Sequence, residues 1–460
     1  MKISLEFDTA KYWLEWKAFW SRNPDLPIVL LLAFIFAAHM LQIAFPNDGS
    51  MIFDEAHYVP ASVATMNGVA ANAEHPPLSK IISAWGIMLL GNNWFGWRFP
   101  QVLMQIGTLY LLYLVARRLI GDPWALGATA LLGLDMVFFI HGGALLIDMA
   151  PLFLAFLAFE LYFRKRYNVS AVSMGLAILA REMSVFYFGT LALYHLVTNT
   201  RRLKSAVRTV LRYTLIALVV FGGLLWLYDE TFQPYSASSV TNFVNQNIII
   251  EDGTPVTTIL STSQSTSREL MLNPFAHVLF IMRYHGWTGQ GGITISEAYR
   301  AYQYAWNWIL PIHISPDRHV TFDPLDAPTY FRVDVDVSGP EGTAHYVPVW
   351  YRAVPNPFLW YGLWLGVVGL ALCVWRREEL GAVTFITSGF LLNYLPWVAI
   401  SLTARRIGFN YYMIYALPFA ALAIALFWKK MPGYGKVGLA MQVLLSLVYF
   451  ISVFPVRPMP

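Results

Sequence analysis

Long apolar runs recur along this chain, and they constrain its fold more than any other feature. A helix needs about 20 residues to cross the hydrocarbon core of a bilayer, and most of the runs approach that length without the alternation of a β-barrel. Only 13% of the residues are charged, whereas soluble domains contain roughly a quarter. The sequence therefore predicts an all-α polytopic membrane protein with a bundle of about 11 transmembrane helices. The runs cover residues 26–45, 99–116, 124–140, 145–163, 170–180, 183–198, 213–228, 357–375, 380–400, 410–428 and 437–455.

Clusters of Lys and Arg predict how the chain is oriented, because short cytoplasmic loops collect these residues. If the N-terminus is cytoplasmic and residues 78–95 lie in the outer interface, every cluster from Arg117-Arg118 to Lys429-Lys430 falls on the cytoplasmic side. Counting residues 78–95 as a further span would place all of these clusters outside. We therefore predict an interfacial helical loop at 78–95 and a cytoplasmic N-terminus.

This topology divides the chain into three parts. Residues 1–228 form an N-terminal transmembrane module, whose first outer loop covers 46–98. Residues 229–355 form a small external and interfacial domain of mixed structure, with a strand-like run at 331–337. Residues 356–460 form the C-terminal transmembrane helices.

The first outer loop carries residues typical of a reactive site. Asp54 and Glu55 are adjacent carboxylates beside the bilayer, and His57 follows on the helical face of Asp54. His75 and Lys80 flank a Pro-Pro step that ends one element and begins another. Asp54, His57 and His75 offer possible metal ligands, but their spacing is not diagnostic. We predict no cofactor, with a divalent metal as the alternative.

Several charges lie at the outer ends of predicted spans, where exposure to lipid is costly. These are Arg98, Arg181 and Arg405, together with Asp148 near the start of the fourth span. A shared anion, such as the phosphate of a lipid, would explain the arginines together, whereas isolated snorkelling to the headgroups would explain each one alone. Asp148 is either a structural partner or a residue of the site.

These motifs together resemble the protein O-mannosyltransferase family of the GT-C glycosyltransferase superfamily. Three departures are visible. Arg181 stands where the family usually has Lys, Tyr412 stands where a late motif has His, and the β-trefoil insert of the eukaryotic enzymes is absent, which indicates a prokaryotic-type member. The resemblance rests on Asp54-Glu55, His75-Pro76-Pro77-Leu78-Ser79-Lys80, Trp97-Arg98-Phe99-Pro100, Ile147-Asp148-Met149, the Gly-Leu-Ala segment from Gly175 to Arg181, Asn356-Pro357 and Phe409-Asn410-Tyr411-Tyr412.

The resemblance implies a GT-C-like fold and a single-step, inverting transfer of mannose on the non-cytoplasmic face. The donor would be a polyprenyl (dolichyl) phosphate sugar, and the acceptor a Ser or Thr hydroxyl of an exported protein. Asp54 would be the general base, and Glu55 would position the acceptor. The remaining candidates would bind substrate, with the cations near the leaving phosphate: His57, His75, Lys80, Arg98, Asp148, Arg181, Arg405 and Tyr411.

Three alternatives remain at this point. A related GT-C enzyme would transfer its sugar to a lipid or a glycan instead of a protein. A transporter would use the acidic pair in its pathway, although broken helices meeting at the midplane are more typical of that class. A subunit that only binds polyprenyl phosphate would keep the arginines without needing Asp54 and Glu55.

Overall fold

The computed structural model is helical throughout its membrane part. It describes residues 22–45, 47, 51–234, 274–287, 305–310, 313–314, 320–321, 329–334, 345–403 and 409–454.

The N-terminal module alternates long and short helices. The helices are α1 (Leu26–Ile43), α2 (Glu55–Met66), α3 (Leu78–Leu90), α4 (Trp94–Ile120), α5 (Trp124–Gly133), α6 (Met136–Gly142), α7 (Met149–Phe163), α8 (Tyr167–Ala180), α9 (Val185–Thr198) and α10 (Leu203–Thr231). Short 3₁₀ turns at Glu182–Ser184 and Thr200–Arg202 lie on either side of α9.

The remaining elements are the segment after α10 and the C-terminal helices. The helices are α11 (Pro274–Trp287), α12 (Pro357–Trp360), α13 (Leu363–Arg376), α14 (Leu380–Thr403), α15 (Leu417–Lys429) and α16 (Gly435–Ser452), with 3₁₀ turns at Ala305–Ile309 and Asn410–Tyr415. The strands are β1 (Met51–Ile52), β2 (Val69–Ala70), β3 (Gln233–Pro234), β4 (His313–Ile314), β5 (Val320–Thr321), β6 (Thr329–Asp334) and β7 (His345–Arg352).

The predicted number of spans is not confirmed. Within the described residues, six helices are long and apolar enough to cross a membrane, and α5 with α6 makes a seventh span if the pair counts as one despite a 71° bend. The other predicted runs fold as α7, α8, α9 and α15, each shorter than the roughly 20 residues of a straight span. Helix α3 has 13 residues and is also too short to span alone.

The break between α5 and α6 is made by one buried carboxylate. Asp135 caps α6 by accepting a hydrogen bond from Phe138 N at 2.9 Å. Its other oxygen accepts from Asn356 N at 3.0 Å and Trp360 Nε1 at 2.7 Å. Asp135 therefore joins the N-terminal module to the beginning of the C-terminal helices.

Helix α15 forms the centre of the bundle, because all its residues from Leu417 to Leu426 are buried. It packs closely on α13, where a Cβ added at Gly369 would lie 2.6 Å from Phe427 Cα. A residue with a side chain at 369 would therefore push the two helices apart.

Backbone pairing joins the first loop to the segment between α10 and α12. Strand β1 pairs antiparallel with β6 in the register Met51↔Val333, and β6 pairs antiparallel with β7. Strand β2 pairs in parallel with β3, directly after α10. The strand-like run predicted at 331–337 thus contains part of β6, and its pairing with β1 fixes the backbone just before Asp54. The boundaries of the three predicted domains themselves stay a prediction.

Candidate active site

The turn before α2 sends two adjacent carboxylates in different directions. Phe53 has φ +51°, an uncommon value for a residue with a side chain. The turn is held because β1 is paired on one side and Glu55 accepts a hydrogen bond from Ile52 N at 2.8 Å on the other. Asp54 is the N-cap of α2, yet its carboxylate makes no capping hydrogen bond. Asp54 is half-buried, whereas Glu55 is fully buried.

Glu55 is occupied by protein contacts on both oxygens. Arg98 binds it bidentately, with Nε to Oε1 at 2.9 Å and Nη2 to Oε2 at 2.8 Å. Leu145 N donates to the same carboxylate at 3.0 Å. Neither side chain of the pair is exposed, and Arg98 Nη1 also donates to Ile43 O at 3.1 Å. These contacts favour a positioning role for Glu55 and Arg98, while direct substrate contact by either stays a prediction.

Asp54 has a different environment. Among the described residues no side chain or backbone group forms a hydrogen bond or ion pair with its carboxylate. Burial raises the pKa of Asp54 above its ordinary value, and the nearby charges of His57 and Arg181 act in the opposite direction. Asp54 is thus the carboxylate of the pair that is available to accept a proton from a ligand.

A second carboxylate, Asp148, anchors a buried polar cluster next to Asp54. Asp148 is paired with Arg181, accepts a hydrogen bond from Tyr415 OH at 2.8 Å, and lies 2.9 Å from His141 Nδ1. Arg181 Nε is buried and has no hydrogen-bond partner in the described part of the chain. The cluster therefore holds a guanidinium group in place and leaves one of its N–H groups unsatisfied.

His141 and Tyr415 were not predicted from the sequence. Both lie within apolar stretches, and a single His or Tyr in such a stretch is no signal by itself. Their role depends on Asp148, which receives them from α6 and from the 3₁₀ turn before α15. The carboxylate of Asp148 at the end of an apolar span is the available signal, because such a group needs partners.

The loop between α2 and α3 is held together by Lys80. Its Nζ donates hydrogen bonds to Asn72 O and to His75 O, the latter at 2.8 Å. The side chain is buried. Burial lowers the pKa of Lys80 to about 8, against the raising effect of Glu74. Lys80 thus fixes the backbone beside His75, and its predicted contact with a leaving phosphate stays a prediction.

The ring of His75 lies between two polar side chains. Its Nε2 is 3.4 Å from Tyr58 OH, and its Nδ1 is 3.3 Å from the carboxylate of Glu182. The same loop is reached by α11, because His277 places Nε2 2.9 Å from Ala73 O and Nδ1 2.9 Å from Asp229. His277 therefore fastens the loop to α10 and α11.

Aromatic side chains complete the site. The ring of Tyr411 is buried and lies edge-on to Phe53 at 5.9 Å and tilted against His141 at 5.4 Å. The ring of the next residue, Tyr412, is instead stacked on the ring of Trp397, with the two centroids 4.1 Å apart. Arg405 lies outside the described residues.

The structure thus brings together most of the predicted substrate-binding residues. Two of the predicted residues are instead bound by the protein itself: Arg98 is paired with Glu55, and Lys80 donates to backbone carbonyls of the loop between α2 and α3. Among the described residues no group of three His, Cys, Asp or Glu side chains is arranged to hold a metal, and the expectation of a reaction without a metal stays a prediction. The residues placed around Asp54 are His57, His75, Asp148, Arg181 and, through Phe53 and His141, Tyr411.

Comparisons of the sequence find related proteins. A sequence model of the family described as "Dolichyl-phosphate-mannose-protein mannosyltransferase" matches residues 74–226. A Mycobacterium tuberculosis polyprenol-phosphate-mannose–protein mannosyltransferase is 25% identical over 83% of this chain and 76% of its own length. The resemblance to the protein O-mannosyltransferase family is therefore confirmed. The homologous enzyme of Mycolicibacterium smegmatis is 34% identical, over 29% of this chain and 27% of its own.

Solved structures share the fold. The S. cerevisiae protein O-mannosyltransferase Pmt1–Pmt2 complex bound to the sugar donor matches with a TM-score of 0.65 at 12% identity, over 94% of this chain and 90% of that one. ArnT from Cupriavidus metallidurans bound to undecaprenyl phosphate matches with a TM-score of 0.51 at 15% identity, over 90% and 63%. The protein is a multi-pass membrane protein with a GT-C-like bundle. The match to the mannosyltransferase family model, together with the mycobacterial relatives, confirms its assignment as a glycosyltransferase.

Proposed function

We propose that this protein transfers mannose from a polyprenyl (dolichyl) phosphate donor to Ser or Thr hydroxyls of exported proteins. The observation that carries the proposal is that one site of this fold holds both an uncommitted carboxylate, Asp54, and a buried guanidinium group, Arg181, which is paired with Asp148. The similarity to enzymes named for polyprenol-phosphate-mannose supports the choice of donor.

The reaction needs one base and one cationic group. The acceptor oxygen attacks the anomeric carbon while Asp54 takes the hydroxyl proton, since a hydroxyl is a poor nucleophile without a base. The bond from the anomeric carbon to the phosphate oxygen breaks, and the polyprenyl phosphate leaves with the electron pair. Attack opposite the leaving group inverts the configuration. Arg181, whose Nε has no partner within the described ranges, stabilises the negative charge that develops on the phosphate.

The active site is proposed to face the non-cytoplasmic side, with the N-terminus in the cytoplasm. Asp148 and Arg181 lie at one end of α7 and α8, whereas Arg164, Lys165 and Arg166 lie in the turn at the other end. Since clustered Lys and Arg favour the cytoplasm, the site belongs to the opposite face. Exported acceptors would meet the enzyme there.

Transfer by the purified protein tests the function. We expect the full chain, reconstituted with dolichyl phosphate mannose, to add a hexose to a Ser/Thr-containing peptide and not to the same peptide with Ala at those positions. Mass spectrometry of the peptides gives the result. Transfer to a lipid or glycan acceptor, with the peptide unmodified, would instead establish the related GT-C activity.

Loss of the Arg181 charge is expected to slow transfer about 100-fold, the scale of removing one donor that stabilises transition-state charge. Arg181→Met should show this loss in kcat, measured at saturating donor. Arg181→Lys, which restores the residue type usual in the family, should stay within about tenfold of wild type because it keeps the positive charge.

Stability must be separated from catalysis in this comparison, because Arg181→Met also leaves buried Asp148 without its cation. The double variant Arg181→Met/Asp148→Asn relieves that cost. If the double variant regains thermal stability but not activity, the charge acts in the reaction. Recovery of both would mean that Arg181 only supports the fold.

A further inference from the structure

A basic cavity lies at the end of the bundle opposite the candidate active site. It has a volume of about 370 Å³ and opens between the turn that joins α7 to α8 and the first half of α10. Its lining includes three cations, Lys165, Arg166 and Arg212, and the polar side chains of Asn168 and Thr209. Helices α7 and α8 run antiparallel, and α8 has 14 residues, so about 20 Å of helix separates the cavity from Arg181.

The floor of the cavity is fixed. Tyr213 is buried there, its hydroxyl 3.0 Å from Ser170 Oγ and donating to Ser170 O at 3.1 Å. Deeper in the bundle α8 and α10 come together, because a Cβ added at Gly175 would lie 2.7 Å from Ala217 O. The cavity is therefore a cleft closed on the side of the membrane centre and open at the surface.

Three other basic residues at the same end are neutralised by carboxylates. Arg118 and Arg164 are both paired with Glu160, and Arg117 with Asp25.

The three cations of the cleft have no such neutralisation. In the part of the chain that the structure describes, no carboxylate pairs with Lys165, Arg166 or Arg212, and no acidic residue lines the cavity. Three like charges held around one cleft repel each other, and an anion between them removes that cost.

Apolar side chains continue from the cleft toward the membrane centre. Val169 on α8 is 54% exposed, and Val172, one turn deeper, is 38% exposed. On α10, Leu215 lies one turn deeper than Arg212 and is 64% exposed. In a membrane protein such surfaces face lipid tails. A ligand that fits has an anionic head and an apolar tail.

We propose that this cleft binds the headgroup of an anionic glycerophospholipid from the leaflet opposite the active site. The phosphate lies among Lys165, Arg166 and Arg212, and an acyl chain lies along Val172 and Leu215. Basic pockets between transmembrane helices are suited to such headgroups. The site is independent of the transfer reaction and anchors the α7–α8 turn to the membrane surface.

Lipid binding to the detergent-purified full chain, followed by native mass spectrometry during titration with phosphatidylglycerol, tests this proposal. We expect the triple variant Lys165→Gln/Arg166→Gln/Arg212→Gln to bind the first phosphatidylglycerol about ten- to a hundredfold more weakly than wild type, on the scale of basic residues near a membrane surface. Phosphatidylcholine should show no difference between the two proteins.

The matched control removes three cations from the same end but outside the cleft, in Arg201→Gln/Arg202→Gln/Arg208→Gln. These side chains are exposed, as are those of Lys165, Arg166 and Arg212, but they do not line the cavity. This variant should therefore keep wild-type binding of the first lipid within about threefold. Equal losses in both triple variants would reduce the effect to general surface charge and overturn the proposal. Displacement of the lipid by millimolar inorganic phosphate would also overturn it, in favour of a site for free anions. Melting temperatures of both variants show whether they are folded.

Discussion

Replacing Asp54 with Asn is expected to lower transfer by about a thousandfold, within the range contributed by a general base, and to leave the protein folded. The carboxylate is half-buried, caps no helix N–H group and makes no hydrogen bond among the described residues. Since Asn has nearly the same shape but cannot take the proton, the variant removes only the base. Transfer to the Ser/Thr peptide measures the loss.

Stability should not fall in this variant. Burial raises the pKa of Asp54 in the folded protein, so the folded state favours the neutral form, and the ionised carboxylate costs folding free energy at pH values above that pKa. The amide that replaces it carries no charge, and Asp54→Asn is therefore expected to melt at or above the wild-type temperature. Asp25→Asn, an exposed Asp→Asn change at the opposite end, is the matched control and should keep full activity.

The same raised pKa gives the pH dependence of the wild type. Asp54 accepts a proton only when ionised, so kcat/KM should fall as the pH is lowered through its pKa, and at a higher pH than an ordinary Asp would require. Activity of Asp54→Asn near the wild-type level would remove Asp54 from the role of base. The acid limb would then belong to another group.

Much of this architecture follows from the sequence because lipid forces it. Apolar runs must become helices in a bilayer, and the positions of Lys and Arg order their ends. This was enough to bring Asp54, Asp148 and Arg181 to the same end. It was not enough to count the spans. The runs that fold as α7, α8, α9 and α15 are each counted as a span from the sequence but form helices too short to cross straight, and α5 bends into α6 at Asp135.

The partner of each charge depends on packing, and the sequence does not contain it. Arg98 was treated with Arg181 as a cation that needs a ligand anion, because both lie at predicted outer ends. In the structure Arg98 is neutralised by Glu55, 43 residues earlier in the chain, whereas Arg181 has an Nε–H group without a hydrogen-bond partner among the described residues. The adjacent pair Asp54-Glu55 is therefore divided between two tasks, which no spacing rule indicates.

Glu55→Gln is expected to destabilise the folded protein by about 3–5 kcal/mol, the cost of leaving one partner of a buried ion pair unpaired. Arg98 would keep its charge inside the protein, and a single amide oxygen cannot accept from Arg98, Ile52 N and Leu145 N as the carboxylate does. Unfolding in detergent, followed by circular dichroism, measures the change. Activity should fall as well, because the turn that presents Asp54 loses its anchor.

The double variant Glu55→Gln/Arg98→Met separates this explanation from a direct role in catalysis. Removing both charges ends the penalty of the unpaired cation, so the double variant should be more stable than either single variant, with a coupling free energy of about 1–3 kcal/mol. Activity should rise with stability relative to Glu55→Gln, since a better-held turn again presents Asp54. If Glu55→Gln instead melts like the wild type while transfer is lost, Glu55 contacts the acceptor as the sequence predicted, and the ion pair with Arg98 is not the reason for its presence.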